Sequence, residues 1–558
     1  RFLWQLGTKT VDKLGLLSLQ NCAGTQVDSL RAFTWTMDAL MLGSGVGFNI
    51  QKKYTYQLPK VKPVSITRQD TSDADFIIPD SRQGWVKFLE LVLDSHFNTG
   101  KSFTYSSILV RSKGALIKGF GGIAAGPEEL CWGMNEISNI CNRRANKKLR
   151  PIDCLDIMNV IGYIVVSGNI RRSASLSLGD SDDLQFLNSK NWSQGNIPNY
   201  RAMSNNSVVC NDINKLPEQF WKGYDGSGEP FGLINIKLCR EVGRLGETEY
   251  DDPNVVVLNP CSEQSLNNYE TCALGEIFLP NIKSREDLLK VSKYLYRIIK
   301  HSLRLPCHHP ETELVVHKNM RMGIGVTGTF QATEEQRSWL DKTYKDLRAF
   351  DVKYSAQHGF PTSIKLTTSK PSGTLSLMPG VTPGANVNPA GPYYFRRVRM
   401  AADSPLLTQY ENAGYPVEWK RNFDGTNDYT TKVVTFPCSV PEHTPIAATT
   451  SAIQQLEFIK WVQTNWSDNA VSVTVTYKME ELNDIKAWLE ENYTTSVKSV
   501  SFLLYQGHGF DQAPYETITK EQYDELIAKV NPITEMSSVS DNDMEEGLDC
   551  ATGACPIK

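Results

Sequence analysis

The segment Asn259-Pro260-Cys261-Ser262-Glu263 sets a thiol between an amide two residues before it and a carboxylate two residues after it. The run NVVVL at 254–258 is apolar and β-prone, so a strand leads into a loop that presents the thiol. A second thiol, Cys272, follows eleven residues later, and a third, Cys22, lies far upstream in Ser18-Leu19-Gln20-Asn21-Cys22. Read alone, Asn-x-Cys-x-Glu is equally a buried cysteine with a capping Asn and a surface Glu; the further cysteines give it weight. At the far end, Cys550 and Cys555 follow a stretch from Pro532 onward that is rich in Asp, Glu, Ser and Gly and nearly free of apolar residues. Such a stretch cannot bury a core, so 532–558 is expected to be a mobile tail. Two thiols on a flexible, small-residue tether suit exchange chemistry. Zinc is the other reading, but two thiolates without a nearby Cys or His pair make a poor tetrahedral site. Lys370-Pro371-Ser372-Gly373-Thr374 combines small hydroxyl residues with Gly after a strand, a turn that offers backbone N–H groups to a phosphate.

The elements that must position these groups read as α/β. At 558 residues the chain can bury a large core without disulfides or metal. Hydrophobic residues at 40% and charged residues at 22% exclude a disordered, collagenous or coiled-coil protein. A net charge of −4 lacks the basic excess of a nucleic-acid binder. No apolar run reaches the roughly 20 residues of a membrane helix. Twelve scattered cysteines are too few for a secreted disulfide scaffold, which points to reduced thiols and a cytoplasmic protein. The chain opens at Arg1 without an initiator Met, so a further N-terminal region is expected.

Helical periodicity appears at 81–97, with Trp85, Phe88, Leu89 and Val92 on one face, and at 151–166, entered through Pro151. It recurs at 453–466, with Ile453, Leu456, Ile459 and Val462. Strands are expected at 231–238, 254–258, 432–436 and 472–477. Several are apolar on both faces, as strands covered by helices are, so one large α/β barrel or sheet fits better than a string of small domains.

Further segments stand along the chain in this order: MLGSGVGF at 41–48, KGFGGIAAG at 118–126, GNIRRSA at 168–174, SNNS at 204–207, VTPG at 381–384 and WSDNA at 466–470. Together with 18–22, 259–263, 370–374 and the Cys550–Cys555 tail, they make the chain resemble a ribonucleotide reductase catalytic chain. The resemblance is specifically to the monomeric adenosylcobalamin-dependent (class II) ribonucleoside triphosphate reductases. It implies a ten-stranded α/β barrel within 1–531, a central finger loop carrying Cys261, effector-binding segments between about 40 and 250, and a redox tail at 532–558. The implied reaction reduces ribonucleoside triphosphates to 2′-deoxyribonucleotides. In it, a thiyl radical on Cys261, generated from adenosylcobalamin, abstracts the 3′-hydrogen.

The same resemblance implies a role for each remaining residue. Glu263 is the base that takes the 3′-OH proton as the 2′ group leaves, and Asn259 is the amide that orients the substrate. Cys22 and Cys272 are the dithiol that supplies reducing equivalents and ends as a disulfide, so the fold must bring their Cα atoms within about 7 Å. Cys550 and Cys555 are the shuttle that reduces this disulfide and is regenerated by a thioredoxin-like protein. Ser372, Gly373 and Thr374 hold the substrate phosphates. Gly121, Gly122, Arg171 and Arg172, in the loops 119–126 and 168–174, belong to the deoxynucleotide effector site. A monomer with no resident metal site and no nucleic-acid or membrane partner is expected.

Three alternatives are weighed against this reading. The reductase class with a separate metal subunit, which acts on diphosphates, relays its radical through adjacent tyrosines late in the chain. Here 500–516 offers only the isolated Tyr505 and Tyr515, and Tyr393-Tyr394 matches another motif of the family. A nucleotide-binding regulatory module would need the phosphate and effector loops but not three redox cysteines beside a Glu. A structural metal protein would need clustered ligands, and in Cys307-His308-His309 consecutive residues cannot all face one ion from regular structure. Finally, Asp94-Ser95-His96-Phe97-Asn98-Thr99-Gly100 has one residue too many for the cobalamin-ligand pattern DxHxxG. It falls in an amphipathic helix, so His96 reads as a helix-end histidine and cofactor binding without a protein His ligand is expected.

Overall fold

Pro151 at the first helical position and an almost unbroken apolar run make Pro151–Val166 a helix buried on nearly every side, its start closed by the Asp153 carboxylate, which accepts from the Arg150 N–H at 2.8 Å and from its guanidinium. It packs against the helices Leu30–Met41 and Glu128–Asn142. The computed structural model describes residues 7–115, 124–167, 174–226, 229–247, 251–373, 375–402, 404, 406–421, 426–505 and 512–534. The periodicity expected at 81–97 is the helix Arg82–Asp94, capped by the Ser81 hydroxyl on the Gly84 N–H and continued by a π-helical turn, Ser95–Thr99. That expected at 453–466 is Ala452–Asn465, with Leu456, Ile459 and Val462 facing the core. No helix among the described residues is long and apolar enough to cross a membrane.

Ten strands form one mixed sheet. Its middle is a run of five parallel strands: Cys22–Gln26, Gly45–Asn49, Ser175–Asp180, Asn205–Val209 and Gly232–Ile234. At each end of that run the direction reverses. Cys22–Gln26 meets Thr271–Phe278 antiparallel, followed by the parallel strands Met322–Thr327 and Thr367–Thr368. Gly232–Ile234 meets Ser499–Leu504 antiparallel, followed by Thr474–Tyr477. The two outer strands lead into neighbouring segments: Ser369 bridges Val471 in parallel, and the Asn469 N–H donates to the Thr367 carbonyl at 3.0 Å.

Two expectations are corrected here. The strand read over 231–238 stops at Ile234, because the Asn235 side chain accepts from the Leu238 N–H and starts the helix Ile236–Glu241. The large sheet also has company. A four-stranded antiparallel sheet takes in Tyr393–Ala401, Val417–Arg421, Asn427–Ser439 and Tyr515–Thr517, and a three-stranded parallel one takes in Ile66–Arg68, Phe76–Ile77 and Phe103–Ser106.

A buried ionic network lies behind the 257–266 segment. Arg321 pairs with Asp252 at 2.6 Å and with Glu270 at 3.0 Å, and Lys365 donates to the Ser265 hydroxyl at 3.0 Å and to the Cys239 carbonyl at 2.7 Å. Charges this deep are tolerated only when paired and hydrogen-bonded, so the network fixes the segments it joins rather than merely decorating them.

Candidate active site

Val257–Leu258 pairs antiparallel with Ser265–Leu266, leaving residues 259–264 as the tip of a hairpin. The hairpin lies against the large sheet: Val257 stands over Gly24, and a Cβ at position 47 would collide with the Leu258 carbonyl, so Gly47 is what admits this approach. Within the tip, the Ser262 N–H donates to the Asn259 carbonyl at 2.8 Å and the Gln264 N–H to Asn259 Oδ1 at 2.9 Å. Ser262 turns the chain at φ +63°, a region few non-glycine residues enter, and its carbonyl accepts from Ser499 Oγ at 2.9 Å. The Glu263 carbonyl accepts from Thr368 Oγ1 at 2.8 Å and from the Ala470 N–H at 3.1 Å. Asn259 therefore serves the loop's own architecture as well as the site.

Cys22 and Cys272 are directly opposed in the antiparallel register of their strands. Residues so opposed have Cα atoms about 4.5–5.5 Å apart, inside the range a disulfide spans. The Cys22 thiol is close enough to those of Cys261 and Cys272 for each to shift its titration, and Asn259 Nδ2 lies 4.0 Å from Cys272 Sγ. The ten described cysteines are all free thiols; Cys22 and Cys272 are buried, Cys261 only half-buried.

The electrostatics keep the Cys261 and Cys22 thiols protonated. The hydrogen bond with Cys22, then burial and the nearby Glu263, push the Cys261 thiol well above its ordinary value. For Cys22, the bond to Cys261 pulls downward, but Cys272 and burial outweigh it and the net shift is upward. Burial raises Glu263 above the usual carboxylate range, opposed by the Lys370 ammonium and by the Asn259 amide. Neither Glu263 oxygen accepts a hydrogen bond of normal geometry, so the Asn259 amide acts by proximity. Burial works against the Lys370 charge, but Glu263, Cys22 and Glu276 outweigh it and hold the ammonium firmly protonated.

The arrangement is a dithiol, a third thiol, a carboxylate and an amide gathered from three separated segments, which suits two-electron thiol chemistry coupled to proton transfer. Comparison with known proteins is then decisive. A probable adenosylcobalamin-dependent ribonucleoside-triphosphate reductase of Dictyostelium discoideum is 33% identical over 100% of this chain and 76% of the relative. The Euglena gracilis enzyme of that name is 34% identical over 97% of this chain and 74% of its own length. The chain belongs to the adenosylcobalamin-dependent ribonucleoside-triphosphate reductase family. A crystal structure of a B12-dependent (class II) ribonucleotide reductase superposes with a TM-score of 0.81 at 27% identity, covering 100% of this chain and 86% of that one. The family model for the B12-dependent ribonucleotide reductase insertion domain matches residues 57–141. That span contains the three-stranded parallel sheet and the helix Arg82–Asp94, an insertion the sequence reading did not separate.

Other predicted positions in this reductase fall as follows. Ser372 is buried, but its N–H donates to the Lys370 carbonyl at 2.9 Å and the Gly373 N–H to the Pro371 carbonyl at 2.8 Å. These two amides are thus spent within the loop, not held open for an anion; tight i→i−2 bonding is a choice of backbone angles that residue types do not reveal. Thr374, Gly121, Gly122, Arg171, Arg172, Cys550 and Cys555 lie outside the described residues. His96 Nδ1 meets the Lys62 carbonyl at 3.0 Å and Nε2 meets Ser138 Oγ at 2.9 Å, so both ring nitrogens are engaged in the structure around it.

In Cys307-His308-His309, the two imidazoles reach Asp38 Oδ2 through Nε2, at 2.7 and 2.8 Å, while Arg82 holds the other Asp38 oxygen. Arg31 can only donate, so its 2.7 Å contact at His309 Nδ1 leaves the ring proton on Nε2. The expectation that these neighbouring histidines cannot face one ion is corrected: both rings converge on one Asp38 oxygen, and Asp38, His308 and His309 are the group of described residues whose ligand atoms lie close enough to hold a metal ion. Two site residues escaped the sequence reading: Lys370, quoted in its motif without a role, and Glu276. The latter had a signal, since it lies four residues after Cys272 and shares its strand face.

Proposed function

We propose that this chain reduces ribonucleoside triphosphates to 2′-deoxyribonucleoside triphosphates at the tip of the 257–266 hairpin. The observation that carries the reading is the register of Cys22 against Cys272 with the Cys261 thiol beside that of Cys22. Hydroxide is a poor leaving group from an unactivated carbon, so removing a ribose 2′-OH calls for a radical route. Adenosylcobalamin, when bound, would supply the radical from its cobalt–carbon bond. Cys261 suits the exchange of a hydrogen atom with it: its thiol is half-buried at the tip and held protonated, as a hydrogen-atom donor must be. The Cys261 thiyl then takes the 3′-hydrogen and returns it at the end. Glu263 accepts the 3′-OH proton, and the 2′ group leaves as water with a proton from the Cys22–Cys272 pair. The pair's second hydrogen goes to C2′, Glu263 returns its proton to O3′, and the pair, having given up two electrons, closes to a disulfide, so one nucleotide and two thiols become one deoxynucleotide, one disulfide and one water. Asn259, anchored through Oδ1, offers Nδ2 to orient the ribose.

In the same reading the ten strands close into an α/β barrel with the hairpin as its central finger. Support comes from the Ser369–Val471 bridge and from tip contacts to both Thr368 and Ser499. The turn Ser372-Gly373-Thr374 takes the phosphates, Ser372 through its hydroxyl and not through the amides, and the loops around Gly121, Gly122, Arg171 and Arg172 take a deoxynucleotide effector. Cys550 and Cys555 carry reducing equivalents from a thioredoxin-like partner to a monomeric enzyme in the cytoplasm, where thiols stay reduced.

CTP reduction with dithiothreitol, run with and without adenosylcobalamin, tests the reading: dCTP is expected only with the cofactor. Formation without it, or none with it, rejects the assignment. The Glu263 role has a pH signature. The base must be ionised and its pKa is raised by burial, so kcat/KM falls as pH drops through a value above the roughly 4.3 of a free Glu. Glu263→Gln is expected to lose that acid limb and about 10²–10⁴-fold in dCTP formation; a variant with the wild-type profile and yield is not missing the base.

A further inference from the structure

Glu276 and Cys272 project to the same face of the strand Thr271–Phe278, so the face that presents the dithiol also presents a carboxylate beside the 370–373 loop. A carboxylate is an odd neighbour for a polyphosphate. Its contacts explain its place, because they are the contacts a phosphate oxygen would make. Ser372 Oγ donates to Glu276 Oε2, Thr327 Oγ1 donates to the same oxygen at 3.4 Å, and Lys370 Nζ stands 3.9 Å from Oε1. The side chain is 5% exposed, and Oε1 is buried with no hydrogen-bond donor. With the Ser372 and Gly373 amides bonded back to the loop's own carbonyls, the Ser372 hydroxyl and the Lys370 ammonium are the loop's donors toward an anion, and both face Glu276.

We propose that Glu276 is a resident anion of the phosphate loop, holding the Ser372 hydroxyl and Lys370 until the triphosphate of an incoming nucleotide displaces it from both. This rests on the reading of 370–374 as the phosphate site. A carboxylate beside phosphates can also mean a bridging divalent cation, but here the Lys370 ammonium already occupies the side of the carboxylate where a cation would sit. The consequence is a deliberately loosened ground state. Nucleotide binding must undo an ion pair and a hydrogen bond and then tolerate a negative charge nearby, which raises KM and eases product departure.

The test measures KM and kcat separately for CTP reduction by wild type, Glu276→Gln and Glu276→Asp, with adenosylcobalamin and dithiothreitol. Binding of inorganic tripolyphosphate to each protein by calorimetry gives a readout independent of turnover. In Glu276→Gln, the KM for CTP and the Kd for tripolyphosphate are both expected to fall about tenfold, from removal of one competing charge. In Glu276→Asp, which keeps the charge, both stay within about threefold of wild type. A damaged site weakens binding, so a structural role alone does not produce the fall. If Glu276→Gln does not fold, Glu276→Ser carries the same expectation. Unchanged or weaker tripolyphosphate binding in a folded neutral variant overturns the proposal, as does a KM that rises and loses a dependence on Mg²⁺. A wild-type chain that makes no dCTP at all overturns the proposed function instead, while the tripolyphosphate titration still reports on Glu276.

Discussion

Cys261→Ser is expected to reduce deoxynucleotide formation to the assay background while leaving the fold intact. An alcohol O–H is a far stronger bond than a thiol S–H, so serine cannot hand over the hydrogen atom that creates the radical. A barrier raised by only about 5.5 kcal/mol already lowers a rate about 10⁴-fold, and the difference between the two bonds exceeds that. The change is nearly isosteric, and the bonds that shape the tip run through Asn259, Ser262 and Gln264, not through the sulfur. Circular dichroism and nucleotide binding should therefore match wild type. Cobalt–carbon homolysis coupled to thiyl formation, followed by the cofactor's absorbance, should vanish with product. Normal turnover by the variant removes Cys261 from the radical role.

The sequence was readable where local signals are strong. Pro151 and the apolar run behind it mark a helix start that the structure reproduces, whereas of the strand expected over 254–258 only Val257–Leu258 is a strand. It was misleading where one polar side chain changes the element, as Asn235 does by capping a helix inside an apolar run. The two- and three-residue strands at Phe76–Ile77 and Ile66–Arg68 are too short for a period-2 pattern to register. The site divides in the same way. The thiol between amide and carboxylate is a local motif, but the pairing of Cys22 with Cys272 joins residues far apart in the chain and is a fact of register that no spacing encodes. Resemblance to a family named that pair; the antiparallel seam is the physical reason it can form. Glu276 was legible only by counting along a strand whose direction had first to be known.

The remaining large effect concerns how the seam is reset after each turnover. Cys22 is 6% exposed and Cys272 fully buried, so a folded protein reductant cannot bring its own thiolate within bonding distance of either sulfur. Exchange requires that contact. The stretch from Thr534 to Cys550 is 16 residues, which span at most about 55 Å when extended. The double variant Cys550→Ser/Cys555→Ser should therefore yield a normal single turnover from the pre-reduced state, because the tail has no part in the chemistry on the ribose. With dithiothreitol, small enough to diffuse in, it should retain partial multiple turnover. With a thioredoxin system it should stop after the first equivalent of dCTP, leaving Cys22 and Cys272 oxidised and unreactive to alkylation. Thioredoxin-driven turnover of the variant at the wild-type rate would mean that the buried pair is reached by another route, and that the tail cysteines serve something else.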